Sequence, residues 1–370
     1  MDWSRHLANC FAEDYGDARH RFLSVCLKYG APVRSYVNSR RGPKGEELAV
    51  DTAWFGAPDA RSVMALTSAT HGVEGFCGSG CQLDWLLRGE PARLPDSVAV
   101  LVVHALNPYG FAWLRRVTEE NVDLNRNGVD FGAPLPDNSG YAELRDAFSP
   151  PALSGRVFDE AMKKLADYRE RYGDRALRQA RTIGQYIDPR GIHYGGGGPT
   201  WSRRSLESII ADYWLLGRAQ VAVVDYHTGL GPYGYGEPIC GSRPGEPGQA
   251  RARAWYGSSL TEPMLGTSTS EVIPGLTQYI WLRELGPERI TFIALEYGTF
   301  PRGEVEDATI AENWLYAYGK PDWDDESARK IRRALRRAYY PDALDWKEMV
   351  VSRSRQIIRQ TLDGLTSSGA

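Results

Sequence analysis

Four short apolar runs dominate the hydrophobic pattern of the chain, and each has the length of a buried β-strand. They are Val63–Ala69, Val98–His104, Val221–Tyr226 and Ile290–Leu295. β-Branched residues are frequent in these runs and polar or Gly-containing sequence follows each one, as expected of strands that are buried on both faces. A further segment, Leu48–Phe55, alternates apolar and polar positions and predicts a strand with one solvent-facing side.

Segments with helical spacing surround these predicted strands. We expect one helix over about the first 30 residues, helices at Gly80–Arg88, Leu206–Leu216 and Phe158–Tyr172, and two more after Glu326 that break at Tyr340–Pro341. The alternation predicts an α/β fold, an open mixed, mostly parallel twisted sheet with helices on both faces, in a single domain over residues 1–370. Residues 128–200 are punctuated by Pro, Gly and Asn, and we expect an insertion there that could cover the carboxyl edge of the sheet.

Composition narrows the class of protein. The 370 residues include 44 Lys+Arg and 47 Asp+Glu, and the net charge of −3 gives no electrostatic reason to expect nucleic acid or an anionic membrane as partner. No apolar run approaches the ~18 residues of a membrane span. The first residues carry charges throughout and lack the apolar core of a signal peptide, which predicts a cytoplasmic protein. Five cysteines without a CxxC motif predict reduced, buried thiols.

The residues that follow three of the predicted strands carry the groups of a metal-dependent hydrolase. His71 and Glu74 follow the first run, His227 the third and Glu296 the fourth; the glycines within HGVEG favour a loop there. Two histidines and one carboxylate form a common catalytic zinc set that leaves a position for water. A zinc hydrolase also needs a carboxylate that is not a ligand as general base, and Glu296 is the candidate. Because such strand ends converge on one edge of an α/β sheet, we expect these side chains to meet.

The loop after the second run offers cations for an anionic substrate group. It contains Arg115 and Arg116, and the pair Asn125 and Arg126 begins nine to ten residues later. This pattern suits two targets, a developing oxyanion and a substrate carboxylate held by two hydrogen bonds. A surface loop with solvated arginines would have the same composition, and the spacing does not separate Arg115 from Arg116.

Four ordered stretches together resemble the M14-like zinc carboxypeptidase superfamily. They are HGVEGFCGSG, NPYGFAWLRRVTEENVDLNRN, DYHTGLGPYGYGE and ALEYGTF. Within the superfamily the chain is most similar to the DUF2817 branch, near the succinylglutamate desuccinylase and aspartoacylase group, and it has the branch-typical stretch YGGGGPTWS. The resemblance runs from about Tyr15 to Leu365 and implies a zinc carboxypeptidase-like fold and Zn²⁺ as the cofactor.

The resemblance also implies roles for individual residues. It places the zinc ligands on His71, Glu74 and His227, and it makes Glu296 the base that activates the zinc-bound water. These assignments agree with those drawn from the strand ends.

The resemblance also distinguishes between the two neighbouring arginines, which the spacing does not. It implies that Arg116 polarises the scissile carbonyl and that Asn125 and Arg126 hold the terminal carboxylate of the substrate. The mobile tyrosine of carboxypeptidases has no clear counterpart: Tyr279 lies in the matching region, but no flanking motif fixes the match. The long insertion also departs from the compact enzymes of the superfamily.

The chain is therefore predicted to be a zinc-dependent hydrolase of amide or peptide bonds, carboxypeptidase-like, with a small peptide or N-acyl amino acid as substrate. One alternative has the same zinc-dependent hydrolysis but a different substrate, so that the protein would be a deacylase of N-acyl amino acids or small amides. Another is a non-catalytic, zinc-stabilised binding protein, against which Glu296 and Arg116 argue because binding needs neither. Neither the substrate nor the oligomeric state follows from the sequence.

Motifs that would indicate other classes of protein are less well matched by the sequence. Gly229–Gly234 formally fits GxGxxG, but the Pro and Gly residues that follow exclude the helix of a dinucleotide site. Ser79 is flanked by Cys77 and Cys81 where a nucleophile elbow has glycines, which argues against a serine hydrolase. His193 fits a plain loop residue, or a group that contacts a metal ligand or the substrate, and the Gly195–Gly198 run fits either a flexible turn or a close approach to a ligand.

Overall fold

The computed structural model describes residues 3–367, and its seven strands form one mixed sheet. The strands are β1 (Val33–Arg41), β2 (Glu47–Phe55), β3 (Ser62–Thr67), β4 (Val98–His104), β5 (Gln220–Tyr233), β6 (Gly236–Ile239) and β7 (Ile290–Gly298). Their order across the sheet is β1-β2-β4-β3-β5-β7-β6. The four apolar runs form β3, β4, β5 and β7, which lie next to one another.

The four neighbouring strands β4, β3, β5 and β7 are parallel. Strands β2 and β6 run antiparallel to them, and β1 is antiparallel to β2, so five of the seven described strands point the same way. The predicted α/β class with a mixed, mostly parallel sheet is thereby confirmed. The β5–β7 pairing places His227 directly opposite Glu296.

Helices cover both faces of the sheet. They are α1 (Trp3–Cys10), α2 (Tyr15–Lys28), α3 (Gly75–Leu87), α4 (Pro108–Ala112), α5 (Ser139–Phe148), α6 (Arg156–Thr182), α7 (Trp201–Asp212), α8 (Pro247–Tyr256), α9 (Gln278–Leu285), α10 (Arg302–Ala317), α11 (Glu326–Tyr339) and α12 (Leu344–Ser367). Successive residues of β4 enter two different cores: Val100 and Val102 belong to one, Leu101 and Val103 to the other. This explains why the run is apolar without alternation.

Two local predictions are wrong. Residues 3–28 contain two helices rather than one, because α1 ends at Cys10 and Asp14 caps α2 by accepting a hydrogen bond from the Asp17 N–H at 2.9 Å. Segment Leu48–Phe55 is a strand, but it has no solvent-facing side. All of it is buried, because β2 lies between β1 and β4 and is covered on both faces.

The insertion at 128–200 contains α5 and α6, which pack on each other around a small core of their own. The predicted helix Phe158–Tyr172 lies within α6. In the part of the chain that the structure describes, no helix combines the length and the apolar character that crossing a bilayer requires. The five cysteines are buried and free, as predicted.

Candidate metal centre

The segment after β3 carries His71 and Glu74 to the carboxyl edge of the sheet. It is a short 3₁₀ turn, Gly72–Glu74, that leads directly into α3, rather than an open loop. A Cβ atom on Gly72 would lie 2.0 Å from the backbone of Gly110, so only glycine lets this turn pack against α4. His227 reaches the same place from within β5, which continues beyond its apolar run.

The three predicted zinc ligands converge. The Nδ1 atom of His71 lies 2.9 Å from Glu74 Oε1, and the Nδ1 atom of His227 lies 3.0 Å from Glu74 Oε2. The ligand atoms of the three residues all lie within 4.8 Å of one another, and all three side chains are buried. Two imidazoles and one carboxylate in this arrangement match the donor set of a catalytic zinc site.

Two aspartates face the opposite sides of the imidazole rings. The Nε2 atom of His71 lies 3.0 Å from Asp123 Oδ1, and the Nε2 atom of His227 lies 2.9 Å from Asp225 Oδ2. A carboxylate at the far ring nitrogen fixes the tautomer and raises the basicity of the ligating nitrogen. Asp225 is itself held by the Thr70 hydroxyl, which donates to Oδ1 at 2.8 Å.

The charge of the cluster also favours a cation. It contains four buried carboxylates and two buried guanidinium groups, from Glu74, Asp123, Asp225, Glu296, Arg116 and Arg126. The carboxylates therefore outnumber the guanidinium groups by two. Without a metal, protons on His227 and Glu296, whose pKa values are both raised, compensate these two charges, and a divalent ion would replace those protons. Burial alone would lower the pKa of His227, but Asp225 and Glu74 raise it well above its usual value. The residues present therefore fit a zinc ion in both donor type and charge.

Glu296 lies beside the three ligands without belonging to them. Its Oε1 atom accepts a hydrogen bond from the Leu230 N–H at 3.0 Å. Burial and the neighbouring charge of Glu74 raise the pKa of Glu296 to about 8. A carboxyl group whose pKa lies near neutrality is suited to accept a proton and to return it.

The two neighbouring arginines point in different directions. Arg116 lines the cavity in front of the three ligands, donates from Nη1 to Asp123, and has its Nε 4.0 Å from Glu74 Oε1. Arg115 is buried elsewhere, where its Nε donates to Glu312 Oε1 at 2.5 Å. The structure thus brings Arg116, and not Arg115, to the candidate metal centre.

Asn125 and Arg126 lie in the wall of the same cavity. The Oδ1 atom of Asn125 accepts hydrogen bonds from the N–H and the hydroxyl of Thr277, both at 3.0 Å. Arg126 donates from Nε and Nη2 to the Thr182 carbonyl of the insertion and from Nη1 to the Asn125 carbonyl. Part of the hydrogen-bonding capacity of this pair is therefore spent on holding the loop and the insertion together.

The remaining wall is largely apolar, and much of it was not predicted. Apolar side chains come from β5, β6, β7 and the segment before α9: Leu230, Ile239, Ile273, Leu276, Phe292 and Ala294. The insertion contributes Thr182, Ile192 and His193. Tyr279 lies in this wall too, and so does Tyr339 at the end of α11.

Three residues of the site were not predicted from the sequence. Asp123 and Asp225 each lie two residues before a predicted site residue, a spacing that places Asp225 on the same face of β5 as His227. That periodicity was a usable signal. Tyr339 had none, because it reaches the cavity from a helix more than 100 residues beyond the last ligand.

Comparison with known families identifies the chain. A family model described as "Protein of unknown function (DUF2817)" matches residues 11–353. The chain belongs to the DUF2817 family. The branch indicated by the motifs is therefore confirmed, and no curated protein gives a significant match to the sequence.

Several solved structures are similar to this DUF2817 protein. Carboxypeptidase A from Helicoverpa armigera has 12% identity and a TM-score of 0.46, over 94% of this chain and 74% of that chain. Bovine thrombin-activatable fibrinolysis inhibitor, in complex with tick carboxypeptidase inhibitor, has 11% identity and a TM-score of 0.45, over 94% and 99%. An aspartoacylase family protein from Mesorhizobium loti has 14% identity and a TM-score of 0.37, over 78% and 67%. At these values the likenesses assign no role to any residue.

Proposed function

We propose that this DUF2817 protein is a zinc-dependent hydrolase of amide bonds that acts, like a carboxypeptidase, on small peptides with a free terminal carboxylate. The observation that carries the proposal is that one cavity combines the three ligands His71, Glu74 and His227 with Glu296 and Arg116, which are not ligands. A structural zinc site has four protein ligands and needs neither a base nor a partner for an oxyanion. The combination therefore favours catalysis over a purely structural metal.

Different side chains of the protein have different roles in the proposed hydrolysis. A zinc ion held by the three ligands would supply Lewis acidity and lower the pKa of a water molecule. The Glu296 carboxylate takes the proton from the attacking water and returns it to the leaving amine. The Arg116 guanidinium donates hydrogen bonds to the oxygen of the tetrahedral intermediate, where charge develops in the transition state.

Asn125 and Arg126 are proposed to hold the substrate carboxylate. A guanidinium has five N–H groups, and three hydrogen bonds to carbonyl oxygens leave Arg126 with N–H groups to offer. The Nδ2 group of Asn125 stays available as a donor, because its hydrogen bonds to Thr277 are made through Oδ1. A carboxylate in this corner of the cavity would meet donors from two adjacent residues.

A substrate screen with product analysis tests the proposal. The zinc-loaded protein is incubated with dipeptides that have free or amidated C-termini, and with N-acyl amino acids. We expect release of the C-terminal amino acid from the free dipeptides, loss of this activity with a chelator and its return with added zinc. Hydrolysis of N-acyl amino acids alone would replace the peptidase by the deacylase, and a zinc-loaded protein that cleaves none of them would contradict the proposal.

A further inference from the structure

His193 belongs to the insertion, yet its imidazole lies in the wall of the cavity that holds the three ligands. Its side chain is 13% exposed, so the ring is largely enclosed but reaches the cavity. The backbone of His193 has a φ of 51°, in the left-handed region that residues other than glycine seldom adopt, although histidine is one of the side chains enriched there. Such strain tends to occur where a side chain is held for a function.

One nitrogen of His193 is committed to Asp123. Oδ2 of Asp123 lies 3.0 Å from Nδ1 of His193 and accepts from Arg116. Oδ1 lies 3.0 Å from Nε2 of His71 and accepts from the Asn125 N–H at 3.0 Å. Four polar groups therefore surround this one carboxylate.

The protonation state of the pair follows from its surroundings. Each oxygen of Asp123 accepts a hydrogen bond from a group that can only donate, Oδ2 from the Arg116 guanidinium and Oδ1 from the Asn125 N–H, so the carboxylate acts as an acceptor. Nδ1 of His193 must then carry a hydrogen. Burial lowers the pKa of His193 to about 4, so the imidazole is neutral near pH 7. A neutral imidazole with its hydrogen on Nδ1 has a lone pair on Nε2.

That lone pair has no partner within the described chain. Among residues 3–367 the hydrogen bonds of the His193 side chain are confined to Nδ1. We infer that Nε2 of His193 accepts a hydrogen bond from an N–H group of the bound substrate, which makes His193 a substrate-binding residue that the insertion adds to the site. The inference rests on the proposed function, since peptides and N-acyl amino acids both carry an amide N–H.

Two substitutions separate substrate binding from a purely structural role. Asparagine can donate to Asp123 from a position close to that of Nδ1 and tolerates a positive φ, but it has no atom where Nε2 lies. Glutamine can place its Oε1 acceptor near the Nε2 position, but it gives up the hydrogen bond to Asp123. His193→Asn and His193→Gln therefore form a matched pair.

Steady-state kinetics with N-benzoylglycyl-phenylalanine compares the zinc-loaded wild type with both variants. We expect His193→Asn to keep the zinc affinity and Tm of the wild type while kcat/KM falls by about 10-fold, as for the loss of one hydrogen bond in an enclosed site. His193→Gln should retain more activity than His193→Asn. The opposite order, with His193→Asn as active as the wild type, would mean that His193 only supports Asp123, and it would overturn the inference.

Nitrogen NMR of ¹⁵N-histidine-labelled, zinc-loaded protein supplies a readout that does not depend on turnover. We expect the Nδ1–H tautomer at His193 and a change in its Nε2 signal when N-acetyl-L-phenylalanine is added; His193→Asn identifies the signal. A hydrogen on Nε2, or a signal that N-acetyl-L-phenylalanine leaves in place, would overturn the inference. A responsive signal in a protein that hydrolyses no amide would instead leave the assignment standing and remove the proposed function.

Discussion

Two clusters of potential metal ligands are buried in the described part of the chain, and their side chains are of similar types. The strand-end cluster consists of His71, Glu74 and His227, and the N-terminal cluster of His6, Cys10 and Asp84. In each, the ligand atoms lie within 4.8 Å of one another. Ligand type and proximity alone would therefore assign a metal to both.

The N-terminal cluster is already satisfied by the protein. Asp84 accepts hydrogen bonds from Arg355 at 2.8 Å and 2.5 Å, and its Oδ1 atom lies 2.7 Å from Nε2 of His6. Burial and Asp84 raise the pKa of the Cys10 thiol, so it does not offer the thiolate that a metal prefers. Around the strand-end cluster, four buried carboxylates face two buried guanidinium groups, and a cavity adjoins the cluster. The comparison teaches that charge balance and access distinguish a candidate metal site from a structural network.

The largest effect should come from removing a ligand of the strand-end cluster. His227→Ala leaves two ligands and the carboxylate of Asp225 without its partner, so we expect zinc-dependent hydrolysis to fall below detection. His6→Asn in the N-terminal cluster serves as the control and should hydrolyse substrate at the wild-type rate. Assays of both variants at saturating zinc test the difference, and a loss of activity in His6→Asn would reverse the ranking of the clusters.

Replacing the general base Glu296 should lower turnover without changing the zinc content. Glu296→Gln keeps the shape of the side chain and removes the proton acceptor, so kcat should fall by ~10²–10⁴ while the zinc content stays at the wild-type level. Zinc analysis and kinetics of the same preparation check both parts. Turnover close to that of the wild type would show that another group takes the proton.

Substitutions of the two neighbouring arginines should have different effects, one on catalysis and the other on stability. Arg116→Ala removes a donor to the developing oxyanion, and kcat should fall by ~10²–10³. Arg115→Ala leaves the buried carboxylate of Glu312 unpaired and should lower the free energy of unfolding by about 3–5 kcal/mol. Kinetics and urea unfolding of the two variants give the test. A kcat loss in folded Arg115→Ala, with Arg116→Ala unaffected, would show that the motif is shifted by one residue.

The smallest effect should appear in the N-terminal cluster. Asp84→Asn weakens the hydrogen bonds to Arg355 and His6, so the free energy of unfolding should fall by about 1–3 kcal/mol without a change in kcat or zinc content. Denaturant unfolding of the zinc-loaded protein measures it. An unchanged unfolding free energy together with lost zinc would mean that this cluster holds the metal.

Much of the site could be predicted because its residues follow the apolar runs of neighbouring parallel strands. The apolar runs that became β3, β5 and β7 are buried on both faces, and parallel strands bring their ends together whatever the loops do. The separate directions of Arg115 and Arg116 depend on a partner, Glu312, that lies almost 200 residues further along the chain. The local pattern of residue types does not indicate a contact between residues so distant in sequence.

The two wrongly predicted elements of the fold have different causes. The burial of β2 on both faces depends on which strands flank it, and the alternation within Leu48–Phe55 reports only the residue types. The break between α1 and α2 rests on a cap at Asp14, a residue that the weak apolar spacing of the first 30 positions did not single out.

Elemental analysis of the purified protein tests the central claim most directly. The wild type, the double variant His71→Ala/His227→Ala and the control His6→Asn are dialysed and analysed for zinc and protein. We predict about one zinc per chain in the wild type and in the control, as expected of one site with three protein ligands, and none in the double variant. A wild type that holds no zinc and takes up none when it is added, or zinc that remains in the double variant and is lost from His6→Asn, would contradict the account.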